Sequence, residues 1–275
     1  MSGTFLEEMA HGSRERVRLA RHLLSEAALE VAARRAPPPP ALRLHPCGFD
    51  LIAELKLRSP AQGVLAGTDE DLEQRVAAYA KAGAAAISVL TEPERFGGSL
   101  EHLARASAVL TPLGVPAMRK DFIVDPYQLL EARVAGASGA LLIVRMLEAA
   151  RLRDLLAAAG ELGLFVLLEA FDANDIGVAT ELAALWRGGQ GQCLVGINSR
   201  DLVTLKVVPG RLEELAPLLP ATCPRVAESG LKTAEDAARL AARGFSLALV
   251  GSALMTHADP AGLARAMIAA GRGAR

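Results

Sequence analysis

The chain has 275 residues, 51% of them hydrophobic and 22% charged, with a formal net charge of -1. That balance excludes the basic footprint of a nucleic-acid or anionic-membrane binder, and the apolar share can fill one domain of about 200–250 residues. No apolar run approaches the roughly 18 residues of a membrane span, and the N-terminus, with Glu7, Glu8 and Glu15 among its arginines, lacks the apolar segment of a signal peptide.

Residues 4–35 predict helix, because Phe5, Met9, Val17, Leu19, Leu23 and Leu24 recur among charges and an alanine-rich run follows. The "APPPP" stretch, Ala36–Pro40, cannot continue a helix and predicts an extended linker. Residues 1–47 are therefore expected to form a helical extension, and residues 48–275 a repeating domain. Eight short runs rich in Val, Ile and Leu begin after the linker, at 50–57, 85–90, 115–121, 139–144, 164–170, 194–199, 224–229 and 247–252. Helical patterns separate most of them. "TDEDLEQRVAAYAKAG" carries acids in its first turn and ends at Gly83; "DPYQLLEARVAGA" starts at an Asp-Pro and stops at Gly136; "TAEDAARLAARG" runs from Thr233 to Gly244. Strands alternating with helices imply parallel pairing, and eight such units predict a (β/α)8 TIM barrel. An open doubly wound sheet is the competing architecture; the strand count and the lack of a glycine fingerprint after the first strand weigh against it. Cys47, Cys193 and Cys223 lie far apart in the chain without metal-binding spacing, which predicts a reduced, cytoplasmic protein with no metal site.

In a barrel of this kind, chemistry gathers at the C-terminal ends of the strands. The first strand, "IAELKLRSP", ends with Glu54 and Lys56, which share a face with Ile52. Arg119, Lys120 and Asp121 close the third strand, Arg145 follows the fourth, and Glu169 ends the fifth. Asn198, Ser199, Arg200 and Asp201 follow the sixth, Glu228 and Ser229 the seventh, Gly251 and Ser252 the eighth. A lone Glu54–Lys56 pair reads equally well as an internal ion pair. Buried pairs stabilise poorly, however, so charges at the same end of most strands point to a site. The Ser229-Gly230 and Gly251-Ser252 turns stand on the two loops that commonly hold a phosphate. Phe96 and Phe122 are candidates for an apolar wall, or for ordinary packing.

At these residues the chain resembles the indole-3-glycerol phosphate synthase family. The resemblance is carried by "IAELKLRSP", "ISVLTEPERFGGSLEHL", "RKDFIVDPYQLLEARVAGASGALLIV", "LGLFVLLEAFD", "VGINSRDLVTL", "VAESGL" and "LVGSALM", in the family's order from about Leu51 to Pro260. It implies a carbon–carbon lyase of tryptophan biosynthesis that turns 1-(2-carboxyphenylamino)-1-deoxyribulose 5-phosphate into indole-3-glycerol phosphate, CO2 and water, without a cofactor. Lys120 would be the general acid at the substrate carbonyl, and Glu169 would stabilise the cationic intermediate and assist proton removal. Lys56 would meet the carboxylate or the departing hydroxyl, and Glu54 and Asn198 would position these groups. Ser59, Phe96, Phe122, Arg200 and Glu228 would contact or support the substrate, and Ser229, Gly230, Gly251 and Ser252 would hold its phosphate. The family also uses an N-terminal extension to help cover its site.

Three departures stand out. The first loop reads Ser59-Pro60-Ala61-Gln62-Gly63 where the family has Ser-Pro-Ser-Lys-Gly. Phe171 replaces a histidine after the fifth strand, and "KVVPGR" follows Leu205 in place of an acidic or hydroxyl pattern. Competing readings are a paralogous enzyme acting on a modified anthranilate derivative, a phosphoribosylanthranilate isomerase, and a non-catalytic barrel subunit. The isomerase would want a cysteine–aspartate pair at strand ends, which the chain lacks. The expected partner is a small phosphorylated substrate, acted on by a monomer or weak homo-oligomer.

Overall fold

The computed structural model describes residues 4–46, 48–60, 63–64, 71–186 and 192–275. Cys47, the Ala61-Gln62 departure and the start of the helix expected from Thr68 lie outside them. Eight parallel strands close into a barrel: β1 (Asp50–Leu55), β2 (Ala86–Leu90), β3 (Ala117–Lys120), β4 (Gly139–Ile143), β5 (Phe165–Ala170), β6 (Cys193–Asn198), β7 (Arg225–Glu228) and β8 (Leu247–Val250), with β1 bonded to both β2 and β8. A two-residue antiparallel ribbon, Arg58–Ser59 against Gly63–Val64, follows β1. The open sheet is thereby ruled out, because closure leaves no unpaired strand edge.

Alternation along each strand sorts the apolar residues into two cores. Ile52, Met118, Leu141, Phe165, Leu167, Leu194, Val226 and Leu247 fill the barrel interior. Leu51, Ala53, Ile87, Val89, Leu142, Val166, Val195 and Ala248 face the surrounding helices. Those helices are α3 (Leu72–Lys81), α4 (Leu100–Leu110), α5 (Pro126–Val134), α6 (Ala149–Glu161), α7 (Ala173–Ala184), α8 (Arg211–Leu215), α9 (Ala234–Ala242), α10 (Ser252–Thr256) and α11 (Pro260–Gly273). The start and stop signals hold: Asp71 caps α3, Asp125 caps α5 with a capping box to Gln128, and Thr233 caps α9. Gly83, Gly136 and Gly244 take positive φ just past the same three helices.

Residues 4–35 form two helices, not one. α1 (Phe5–Leu23) ends where Leu24 turns extended, and Ser25 starts α2 (Glu26–Arg35) by accepting from Ala28 N at 3.3 Å. The break is a polar capping preference overriding a continuous apolar pattern. Both helices dock on α5. The Tyr127 hydroxyl donates to Leu24 O at 2.9 Å, and Arg133 donates to the linker carbonyls of Ala36 and Pro37 at 2.8 and 2.7 Å. Leu42 then joins the interior cluster, held by Gln192 donating to its carbonyl at 3.2 Å. The extension therefore begins at the C-terminal ends of the barrel strands and descends the side of the barrel before β1. Among the described residues, no helix is long and apolar enough to cross a membrane.

Cys193 faces the helix ring, and burial, aided by the neighbouring Cys223 thiol, pushes its pKa up to about 12. Since the thiolate is the nucleophile, alkylation of the native protein at mildly alkaline pH should spare Cys193, and unfolding in urea should expose it. Peptide mass spectrometry checks this; native labelling at the denatured rate would contradict the packing described.

Candidate active site

Parity decides which polar residues reach the barrel mouth. Glu54, Lys120, Glu169, Asn198 and Glu228 all point inward, one layer above the apolar interior, and Lys56 follows β1 and folds back over Glu54. They line a cavity of about 520 Å³, within the range of ordinary small-molecule sites. Ser59, Phe96, Phe122, Arg200, Ser229, Gly230, Gly251 and Ser252 line it too, so the structure brings every candidate residue to one cavity. Arg119, Asp121 and Arg145, which sequence order also puts at strand ends, serve elsewhere. Arg119 points outward to Gln128 O and Glu131 at 2.6 and 3.0 Å. Arg145 pairs with Asp172 and with Asp175, and stacks on the Phe171 ring at 4.8 Å. Asp121 reaches the cavity edge, but its carboxylate is taken up by Arg119 and Arg16.

The charged layer is tightly joined. Lys56 Nζ lies 2.6 Å from Glu54 Oε1, Lys120 Nζ lies 3.6 Å from Glu169 Oε1, and the Asn198 amide donates to that same glutamate. Burial works to lower the pKa of the Lys120 ammonium, but the carboxylates of Glu169, Glu228 and Glu54 outweigh it and hold the group above its ordinary value. Glu228 is different. Only 1% exposed, neither of its oxygens finds a hydrogen-bond partner among the described residues. Burial and the negative field of Glu169 raise its pKa well above the ordinary carboxylate value, against the pull of Lys120. The layer sets two lysines against three carboxyl groups, and burial with a like charge nearby shifts Glu228 toward its protonated form.

Two glycines make room for these acids. A Cβ on Gly251 would stand 2.2 Å from Glu54 Oε1, and one on Gly196 would stand 2.3 Å from Glu228 Oε1. Across the cavity, Phe96 and Phe122 form the aromatic wall, their ring centres 6.2 Å apart. Phe5, from α1, adds a third ring edge-on to Phe122 at 5.9 Å. Sequence order gives no hint of Phe5's place, since its neighbours in the wall are far along the chain. Phe171, noted only as a departure, is 2% exposed and also lines the cavity.

At the rim, Ser229 has φ 66° and Gly230 φ 85°, a left-handed pair in which the serine pays a steric penalty. Ser199 Oγ stands 3.0 Å from Ser229 O and 3.2 Å from Glu228 O, pinning this turn. Gly251 precedes α10 with no side chain capping the helix, and Ser252 Oγ is buried without a partner among the described residues.

The chain as a whole is similar to known proteins. The family model described as indole-3-glycerol phosphate synthase matches residues 6–267. An indole-3-glycerol phosphate synthase from Parafrankia sp. is 41% identical over 268 residues, covering 97% of this chain and 96% of its own. Another, from Nocardioides sp., is 44% identical over 245 residues, covering 88% and 90%. Among solved structures, 3-hexulose-6-phosphate synthase from Salmonella typhimurium superposes with a TM-score of 0.59 at 14% identity, over 82% of this chain and 100% of that one, a likeness of fold alone. With the family matched across nearly its whole length, the chain belongs to the indole-3-glycerol phosphate synthases.

Proposed function

We propose that the cavity closes the indole ring of 1-(2-carboxyphenylamino)-1-deoxyribulose 5-phosphate, with Lys120 as the general acid. The observation that carries this is one buried layer holding two lysines and three carboxyl groups beside an aromatic wall. The ring carbon bearing the carboxylate bonds to the ketone carbon, and the ketone oxygen takes a proton from Lys120. The electron pair of the breaking carbon–carboxylate bond restores aromaticity, and CO2 leaves. The new hydroxyl then departs as water, protonated by Lys56, while Glu169 removes the proton from the adjacent carbon. Glu54, bonded to Lys56, and Asn198, bonded to Glu169, aim those groups.

Phe96, Phe122 and the apolar residues beside them take the aromatic ring. Arg200 lines the same space, held by its own donation to Leu205 O at 2.7 Å. The phosphate sits where Ser229-Gly230 and Gly251-Ser252 turn, and the unpartnered Ser252 hydroxyl supports that placement. Glu228, with its pKa raised by burial and by Glu169, is shifted toward the form that offers a hydrogen bond where a carboxylate would repel the substrate's anions. Ser59 borders the site from the first loop. In this reading residues 1–47 are the cover and 48–275 the catalytic barrel. The protein works in the cytoplasm as a monomer or weak homo-oligomer.

Lys120→Met should leave a folded protein that still binds the product but has lost turnover by about 10²–10⁴-fold. Indole formation followed by ultraviolet absorbance measures this, and retention of a tenth of wild-type kcat would remove Lys120 from the acid role. Glu54→Gln separates catalysis from mere ion pairing: kcat should fall at least about tenfold, or about 1.4 kcal/mol of transition-state stabilisation, with little change in Tm. A large drop in Tm at near-normal kcat would restore the structural role. Glu228 makes a pH prediction. Its folded pKa lies above the unfolded value near 4.5, so the folded state holds an extra proton and stability falls as pH rises above that value. Glu228→Gln removes this loss. Its Tm should match wild type in acid and exceed it increasingly toward neutral pH; parallel curves would show that Glu228 ionises normally.

A further inference from the structure

Arg16 lies in the middle of α1, on the side facing the barrel, and is one of the contacts that hold this helix at the mouth. Its Nη2 donates to Asp121 Oδ1 at 2.7 Å and to Ser13 Oγ at 2.8 Å, and its Nη1 lies 3.7 Å from Glu92 Oε1. Both carboxylates are 1% exposed, whereas the arginine is 29% exposed. Each belongs to a loop that carries part of the site. Glu92 accepts the backbone N–H groups of Glu94, Arg95 and Phe96 at 3.0, 2.7 and 3.0 Å, and so shapes the turn that presents Phe96. Asp121 accepts from the N–H of Phe122 at 2.8 Å, and its other oxygen accepts from Thr91 Oγ1 and Arg119 at 2.8 and 2.9 Å. Thr91 N in turn donates to Lys120 O at 3.0 Å.

We propose that Arg16 is a positioning residue for the reaction: it ties the Phe96 loop to the Phe122 loop and fixes the backbone from which Lys120 enters the cavity. This rests on the reading of Lys120 as the acid and of the two phenylalanines as the wall. The physical argument is one of charge. Arg119 divides its guanidinium between Asp121 and Glu131, so without Arg16 two buried carboxylates on facing loops lose their shared cation. A buried charge whose partner is removed is strongly unfavourable. The loops relieve it by moving apart or admitting water, and either response shifts Lys120 and opens the wall. Phe5, on the same helix, then leaves its edge-on contact with Phe122.

The test compares Arg16→Met and Arg16→Lys with Arg18→Gln, an exposed arginine on the same helix that among the described residues pairs only with Glu15. Arg16→Met should lower kcat roughly tenfold and raise KM several-fold, since small misplacements of reacting groups are costly. Arg16→Lys, which keeps the cation, should stand between it and wild type, and Arg18→Gln should match wild type. Hydrogen exchange should quicken at residues 92–97 and 121–124 in Arg16→Met. If the methionine variant does not fold, Arg16→Gln replaces it. Values of kcat and KM within twofold of wild type, equal losses in Arg18→Gln, or no recovery in Arg16→Lys would each overturn the proposal. Lys120→Met, measured alongside, separates the two readings. Should it retain turnover, the acid assignment falls, and the exchange data alone decide whether Arg16 pins the loops.

Discussion

A closed barrel can bury only as much charge as it can neutralise inside. Glu54, Glu169 and Glu228 enter one layer of this interior, and Lys56 and Lys120 are the ammoniums that face them. Everything else about the site follows from that balance. It holds the Lys120 pKa up despite burial and raises that of Glu228. It also explains the two glycines, because carboxylates packed this closely leave no volume for a Cβ at positions 196 or 251. An isolated ion pair would have been exchangeable for packed apolar residues at little cost. In the proposed reading, a layer of two lysines and three carboxyl groups serves proton transfer.

Strand parity separates this layer from a second polar system one residue away. Lys120 points inward; Arg119 and Asp121, its chain neighbours, work on the other side of the sheet and at its rim. Those two anchor the β3 end to α5 and to α1, so Lys120 sits on a strand end clamped by neighbouring charges. Arg145 plays a comparable part after β4, bracing the start of α7 and the Phe171 ring.

Much of this was legible in the chain. Runs of Val, Ile and Leu marked all eight strands, because buried parallel strands have apolar residues on both faces. Capping residues and trailing glycines marked α5 and α9 within a residue or two. The inward set from Glu54 to Glu228 could be read because it recurs at one end of successive strands. Three things could not. The α1–α2 break depends on Ser25 competing with an apolar pattern that runs through it. The outward turn of Arg119 depends on strand phase, which a run with three consecutive polar residues does not specify. The places of Phe5 and Arg16 depend on contacts made about a hundred residues away, for which no local signal exists.

That distance has a consequence for how the molecule assembles. Arg16 meets Asp121 across 105 positions, Tyr127 meets Leu24 across 103, and Arg133 meets Ala36 across 97. The helices made first during synthesis thus find their seat only once β2, β3 and α5 exist. Loop closure of that length carries an entropic cost that must be met before any contact rewards it. These helices therefore settle only after about half of the barrel has been made, although they precede it in the chain. Until they do, Phe122 lacks its edge-on ring, and Glu92 and Asp121 lack the cation they share.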